Sequence, residues 1–168
     1  MRLTIELVPR SCFYKNVRSN VTREEWDAIR FMVYENAGFK CEICGKESGM
    51  DACRVKDLEA HEVFEYKDGI QKLVRLEALC SACHGVKHIG RLQMISQWRY
   101  KKAIEHFAKI NRLTHNEIVV CLHEAQETWL KRSNIEWELD ISYLNKFKIQ
   151  YEKELFDQGQ IIPEAEIE

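Results

Sequence analysis

Four of the chain's seven cysteines stand in two Cys-x-x-Cys pairs, Cys41-Glu-Ile-Cys44 and Cys80-Ser-Ala-Cys83. That spacing sets two thiolates on one side of a tight turn, which is half of a tetrahedral site. Two such knuckles brought together supply the four sulfurs that a closed structural Zn²⁺ site takes. Thirty-five residues separate Cys44 from Cys80, so a folded element must lie between them. The odd cysteine count, with no export-like leader in residues 1–12, points to a reducing compartment and not to a disulfide framework. A cytoplasmic location is the expectation. Cys12, Cys53 and Cys121 read as small buried apolar residues.

Histidines form the second constellation. His84 and His88 lie four apart, directly after the second cysteine pair, in a stretch that reads as helix. Both imidazoles then project from one face. His61 sits on a strand that a hairpin carries back across that helix. Three converging imidazoles with open coordination positions make a site for a catalytic divalent metal, whether Mg²⁺, Mn²⁺, Ni²⁺ or Zn²⁺. His106, His115 and His123 are left outside it.

The elements that must position these groups follow from local pattern. Residues 2–8 alternate like a strand and stop at Pro9. Thr22 to Glu25 is a capping box opening a helix to about Ala37, with Gly38 suited to the position after its end. Gly45 to Lys56 has no clear pattern. Residues 58–66 and 71–79 read as two strands joined by turn residues Lys67-Asp-Gly69, and 80–88 as a helix. One helix is expected over roughly 93–110. A second capping box, Thr114 to Glu117, opens another to about Arg132. A last short helix is expected over Ser142–Lys153, before an acidic tail.

In Cys41-x-x-Cys44, Leu58-Glu-Ala-His-Glu-Val63 and Leu79-Cys-Ser-Ala-Cys-His-Gly-Val-Lys-His88, the chain resembles the HNH endonuclease family. The resemblance covers about residues 22–92. It implies a ββα-metal finger, with His61 and His84 in metal-ligand positions. His88 matches a second helix histidine of the colicin-type DNase branch. Glu62 stands where the family's general-base histidine usually stands, and Arg75 where an orienting asparagine usually stands. Glu62 is therefore a candidate base, a fourth ligand, or a group orienting a ligand histidine. Arg75 is a candidate phosphate grip or an exposed strand residue.

Charge refines the list of partners. The chain holds 25 Lys/Arg against 27 Asp/Glu, which sets aside a histone-like polycation but not a local basic patch. Residues 93–112 carry Arg99, Lys101, Lys102, Lys109 and Arg112 against Glu105 alone, with Trp98 and Tyr100 among them. Residues 113–168 carry five cations against twelve carboxylates. Arg75, Lys87, Arg99, Lys101 and Lys102 are the expected nucleic-acid contacts, and the acidic half is a candidate surface for a protein partner. Trp129, Trp137 and Leu139 are its expected core anchors. No run of about 18 apolar residues exists, so no membrane span is expected.

The expectation is an α+β protein. A lead-in (1–21) precedes a zinc-supported ββα-metal (HNH/His-Me finger) core (22–92), on which a mostly α-helical C-terminal region (93–168) packs. The expected function is a metal-dependent HNH-type endonuclease hydrolysing phosphodiester bonds in DNA. The alternatives are a zinc-stabilised module that binds nucleic acid or protein without cutting, and a nuclease that needs a partner protein.

Overall fold

Thr22 opens α1 (Arg23–Asn36) as its spacing to Glu25 predicts. Its hydroxyl accepts from the Glu25 N–H, and the Glu25 carboxylate accepts from the Thr22 N–H. Gly38, at φ +60°, turns the chain left-handed after the helix, so its N–H returns to Glu35 O and that of Phe39 to Tyr34 O. This computed structural model describes residues 1–51 and 54–147. Cys53 and the part of the expected last helix beyond 147 lie outside the described residues.

A small antiparallel pair, β1 (Met50–Asp51) and β2 (Arg54–Val55), occupies the stretch whose sequence has no clear pattern. The main hairpin follows as β3 (Leu58–Lys67) and β4 (Ile70–Cys80). Its two-residue turn, Asp68-Gly69, takes positive φ at both positions (51° and 78°), the twist that joins right-handed strands without splaying them. A bulge beside Val63 leaves Val74 as an extra residue on β4. A third strand, β5 (Glu138–Asp140), joins β4 in parallel at Ile70–Lys72, giving the order β3-β4-β5. Being central, β4 buries Leu73, Leu76, Ala78, Leu79 and Cys80.

Helices α2 (Ser81–Lys87), α3 (Ile89–Ile95), α4 (Gln97–Asn111) and α5 (His115–Ser133) complete the frame. The single helix expected over 93–110 is two helices. Ser96 is extended, and its hydroxyl accepts from the Arg99 N–H, so a serine that competes with the helix backbone stops one helix and caps the next. The expected capping box at Thr114 and Glu117 is present and starts α5. In the last expected helix, Ser142–Leu144 forms one 3-10 turn.

Residues 2–8 do not form the expected strand. They run as an extended strap whose polar groups find partners other than a sheet. Both the Arg2 and Leu3 N–H donate to Asn111 Oδ1 (3.0 and 3.1 Å), and the Asn111 amide donates to Leu3 O. The Glu6 N–H donates to Lys87 O, a carbonyl left free by the end of α2. One core joins the strap to both halves of the chain: Leu3, Trp26, Ile29, Leu73, Leu79, Val86 and Phe107 pack in the same cluster. Of the expected anchors in the C-terminal region, Trp137 is buried, while Trp129 and Leu139 are only partly covered. Cys12 is buried and Cys121 half-buried. Among the described residues no helix is long and apolar enough to cross a membrane.

Candidate metal centres

The first knuckle is a turn stapled to the hairpin. Gly45, at φ +74°, lets the chain reverse after Cys44, and its N–H returns to Cys41 O. Glu42 fixes the knuckle against β4: its N–H donates to Ala78 O (3.0 Å) and its carboxylate accepts from the Ala78 N–H (2.7 Å). Cys80 ends β4 and is the residue preceding α2, and Cys83 lies one turn inside that helix. The four Sγ atoms of Cys41, Cys44, Cys80 and Cys83 lie within 4.8 Å of one another, with Cys44 and Cys80 at 3.6 Å. A tetrahedron with Zn–S bonds of about 2.3 Å has S···S edges of about 3.8 Å, so this cluster is close to its holo dimensions.

Its electrostatics call for a cation. Hydrogen bonds from the Cys80 and Cys83 thiols hold Cys41 far below the usual thiol range, and the same bonds push Cys80 and Cys83 up. One thiolate is stabilised by its neighbours' protons. Four thiolates at this separation require a dication between them. His106, on α4, brings Nε2 to 3.2 Å from Cys83 Sγ, which ties α4 to the site; as the N–H tautomer it would offset sulfur charge.

The second cluster is built across the hairpin and α2. His61, on β3, is buried, and alternation puts Glu59, His61, Arg75 and Glu77 on one face of the ribbon. His84 lies on α2, and His88 ends it one turn later, its N–H still donating to His84 O. One ring nitrogen from each of the three lies within 4.8 Å of the others, and the ring centroids are 4.6 to 5.4 Å apart. Burial foremost, then the charges of His84 and His61, holds His88 down at about 3. Burial also lowers His61. Near neutrality these two rings are uncharged and offer lone pairs.

Two carboxylates orient the cluster from behind. Glu6, on the strap, meets His61 Nε2 at 2.9 Å, and Glu59 meets His84 Nδ1 at 2.8 Å. Each pairing leaves the other ring nitrogen free. His61 Nδ1 is buried and has no hydrogen-bond partner, the condition of a ligand atom awaiting its metal. Carboxylate behind histidine is the arrangement that fixes the tautomer and strengthens the ligand at metal sites. Burial opposes ionisation of Glu6, yet bonds from His61 and Lys87 keep its carboxyl at about 2.

Lys87 does not occupy the place expected of a nucleic-acid contact. It is buried, its ammonium group donating to Thr4 Oγ1 (3.0 Å) and to Glu6, with Glu77 Oε2 3.8 Å away. A cation this enclosed serves two internal carboxylates and is not open to a phosphate. Arg75 is half-exposed and paired with Glu77 two residues along the same face. Glu62 is not in the histidine cluster. It leaves the strand on the face opposite His61 and accepts from the Val17 N–H at 3.1 Å. Burial foremost raises its carboxyl above the usual range. Arg99, Lys101 and Lys102 stand exposed on α4, Lys102 paired with Glu105 at 2.8 Å.

No protein-family model, curated protein or solved structure matches this chain. The two clusters are therefore read from their own geometry. Four of the residues that build them have no role that their sequence context predicts: Glu6, Glu42, Glu59 and His106. Glu59 alone had a local signal, since it shares a strand face with His61 at a separation of two.

Glu6→Ala should weaken metal binding at the histidine cluster by about 10- to 100-fold while the cysteine site keeps its zinc. Titrating Mn²⁺ or Ni²⁺ into zinc-loaded protein by calorimetry measures this. An unchanged affinity would remove Glu6 as the positioning residue of His61.

Proposed function

We propose that the chain is a metal-dependent phosphodiesterase of the HNH type acting on DNA, with β3, β4 and α2 as its ββα-metal core. The observation that carries this reading is the convergence of His61, His84 and His88 with His61 Nδ1 buried and unbonded. His61, His84 and His88 would hold a divalent ion, which would supply positive charge against the negative charge that develops on the phosphoryl group and the leaving oxygen. Three nitrogens with no carboxylate among them favour Mn²⁺, Ni²⁺ or Zn²⁺ over Mg²⁺, a hard ion that prefers oxygen. The residues of the chain supply orientation: Glu6 and Glu59 fix two of the three rings. The exposed cations Arg99, Lys101 and Lys102 are the proposed phosphate contacts.

Nicking of supercoiled plasmid in the presence of Mn²⁺, Ni²⁺ or Zn²⁺, lost in His84→Ala, is the direct test. No cleavage of duplex, single-stranded or RNA substrate with any of these ions would overturn the reading. One observation favours a second reading, a zinc-stabilised module that binds without cutting: Glu62 and Arg75 are both occupied within the fold. The two are separated by the same assay.

The placement of Glu62 gives a further prediction. A side-chain base contributes about 10²- to 10⁴-fold to rate. Glu62→Gln keeps an oxygen for the Val17 N–H and removes the ability to take a proton. Cleavage should persist within about tenfold of wild type. A loss of a hundredfold or more, about the lower end of that range, would instead make Glu62 the base.

A further inference from the structure

The bend between α3 and α4 exposes three large apolar side chains that the core does not use: Met94 (77% exposed), Ile95 (56%) and Trp98 (69%). The break at Ser96 falls within this run, its extended backbone ending α3 and starting α4. Trp98, Lys101 and Lys102 follow the three-and-four spacing of a single helix face. An open groove beside them is lined by Gln97, Trp98, Tyr100, Lys101 and Ile104. On the same two helices Arg91, Arg99, Lys101, Lys102 and Lys109 are all exposed. Among the described residues no carboxylate stands at ion-pair distance from Arg91, Arg99, Lys101 or Lys109, and Glu105 is engaged by Lys102.

We propose that this corner is a stacking shelf for unpaired DNA, which feeds a strand toward the histidine cluster. Two complementary properties select that occupant. Cations spaced along a helix, with Glu105 the one carboxylate among them, match a repeating phosphate backbone. An exposed indole beside a groove matches the flat face of a base, and base faces are available only where a strand is unpaired. Three apolar side chains ringed by cations form too narrow an apolar face for a helix lying in a bilayer surface. Position supports the assignment as well. His88 immediately precedes α3, and seven residues of helix span about 10 Å, so the shelf begins within a few nucleotides of the cluster.

The inference rests on the proposed phosphodiesterase reading for its choice of DNA, so its test reads binding apart from cleavage. Anisotropy of a fluorescein-labelled oligothymidylate is followed with protein holding one zinc per chain, dialysed against EDTA to clear the histidine cluster, and no added divalent ion. Stacking of one base is worth about 1–3 kcal/mol, so Trp98→Ala should weaken binding by about 5- to 150-fold, with Trp98→Phe restoring most of it. Lys101→Gln should flatten the dependence of log affinity on log salt by about 0.7. A hairpin duplex should bind more weakly than the open strand. Because Trp98 is exposed, its truncation leaves the fold intact, which circular dichroism and zinc content check. Equal binding by Trp98→Ala would overturn the shelf. So would a preference for duplex, for the matching oligouridylate, for anionic vesicles or for poly-L-glutamate as competitor. Trp98-dependent binding without any cleavage leaves the shelf standing and removes the phosphodiesterase reading. Cleavage with binding indifferent to Trp98 does the reverse.

Discussion

Cys80→Ser should abolish zinc binding at the four-cysteine cluster and unfold the region that a bound zinc would organise. Cys80 closes β4, leads into α2 and is buried beside the first knuckle, so one sulfur joins a strand end, a helix start and a remote loop. Structural zinc contributes about 10–16 kcal/mol of apparent binding energy in zinc-finger peptides. Whole domains are stable by about 5–15 kcal/mol. The metal term is therefore as large as the margin it supports, and losing it removes cooperative folding of the knuckles, hairpin end and α2. Elemental analysis should find less than one zinc per chain, and near-ultraviolet dichroism and thermal melting should lose their native transition. A strong chelator should do the same to the wild type. Cys121→Ser, outside the cluster, is the control and should keep both zinc and melting behaviour. A zinc-free Cys80→Ser protein that melts like wild type would dispose of the structural role.

His84→Ala should give the opposite dissociation: zinc and fold retained, second metal and cleavage lost. His84 is partly exposed, and its partner Glu59 is half-exposed, so truncation leaves Glu59 free to hydrate without stranding a charge in the core. Two imidazoles remain, too few to hold an exchangeable ion firmly. Removing the ion's charge stabilisation should lower single-turnover cleavage by about a thousandfold or more, about 4 kcal/mol in barrier. Equilibrium dialysis against Mn²⁺ or Ni²⁺ reads the metal, and plasmid nicking reads the chemistry. Undiminished nicking with the metal site lost would place the chemistry elsewhere in the chain. Together with Cys80→Ser, this variant tests whether the chain uses one cluster for architecture and the other for reaction.

Spacing made both clusters legible because their members come in local pairs. Cys41 with Cys44, Cys80 with Cys83, and His84 with His88 are each within one turn, and only one hairpin is needed to bring His61 across. Capping boxes were legible for the same reason, since Thr22 and Thr114 each bond a residue three positions on. What escaped were partners with no local signature. Glu6 and His61 are 55 residues apart, and nothing near either announces the other. Lys87 reads as a surface cation because lysines are seldom buried without partners, and its partners come from the strap and from β4. Alternation in residues 2–8 reports one covered side and one open side, which an extended strap shares with a strand. At three residues, β5 is too short to carry any periodicity.

The strap also imposes an order on assembly during synthesis. Glu6 is made before the groups that hold the strap in place: Lys87 bonds Glu6 itself across 81 positions, and Asn111 pairs with Arg2 across 109. The zinc knuckles and hairpin can close while the chain is still growing. His61 acquires its carboxylate only when the strap has swung back over it, and the strap is fastened at Leu3 only once Asn111, at the end of α4, has emerged. A ribosome-bound fragment ending before α4 would thus carry all three histidines and still lack the Asn111 anchor of the strap that aligns His61. For a protein proposed to cut DNA, the reactive site is fully fastened only after the cysteine knuckles, hairpin and α2 that frame it.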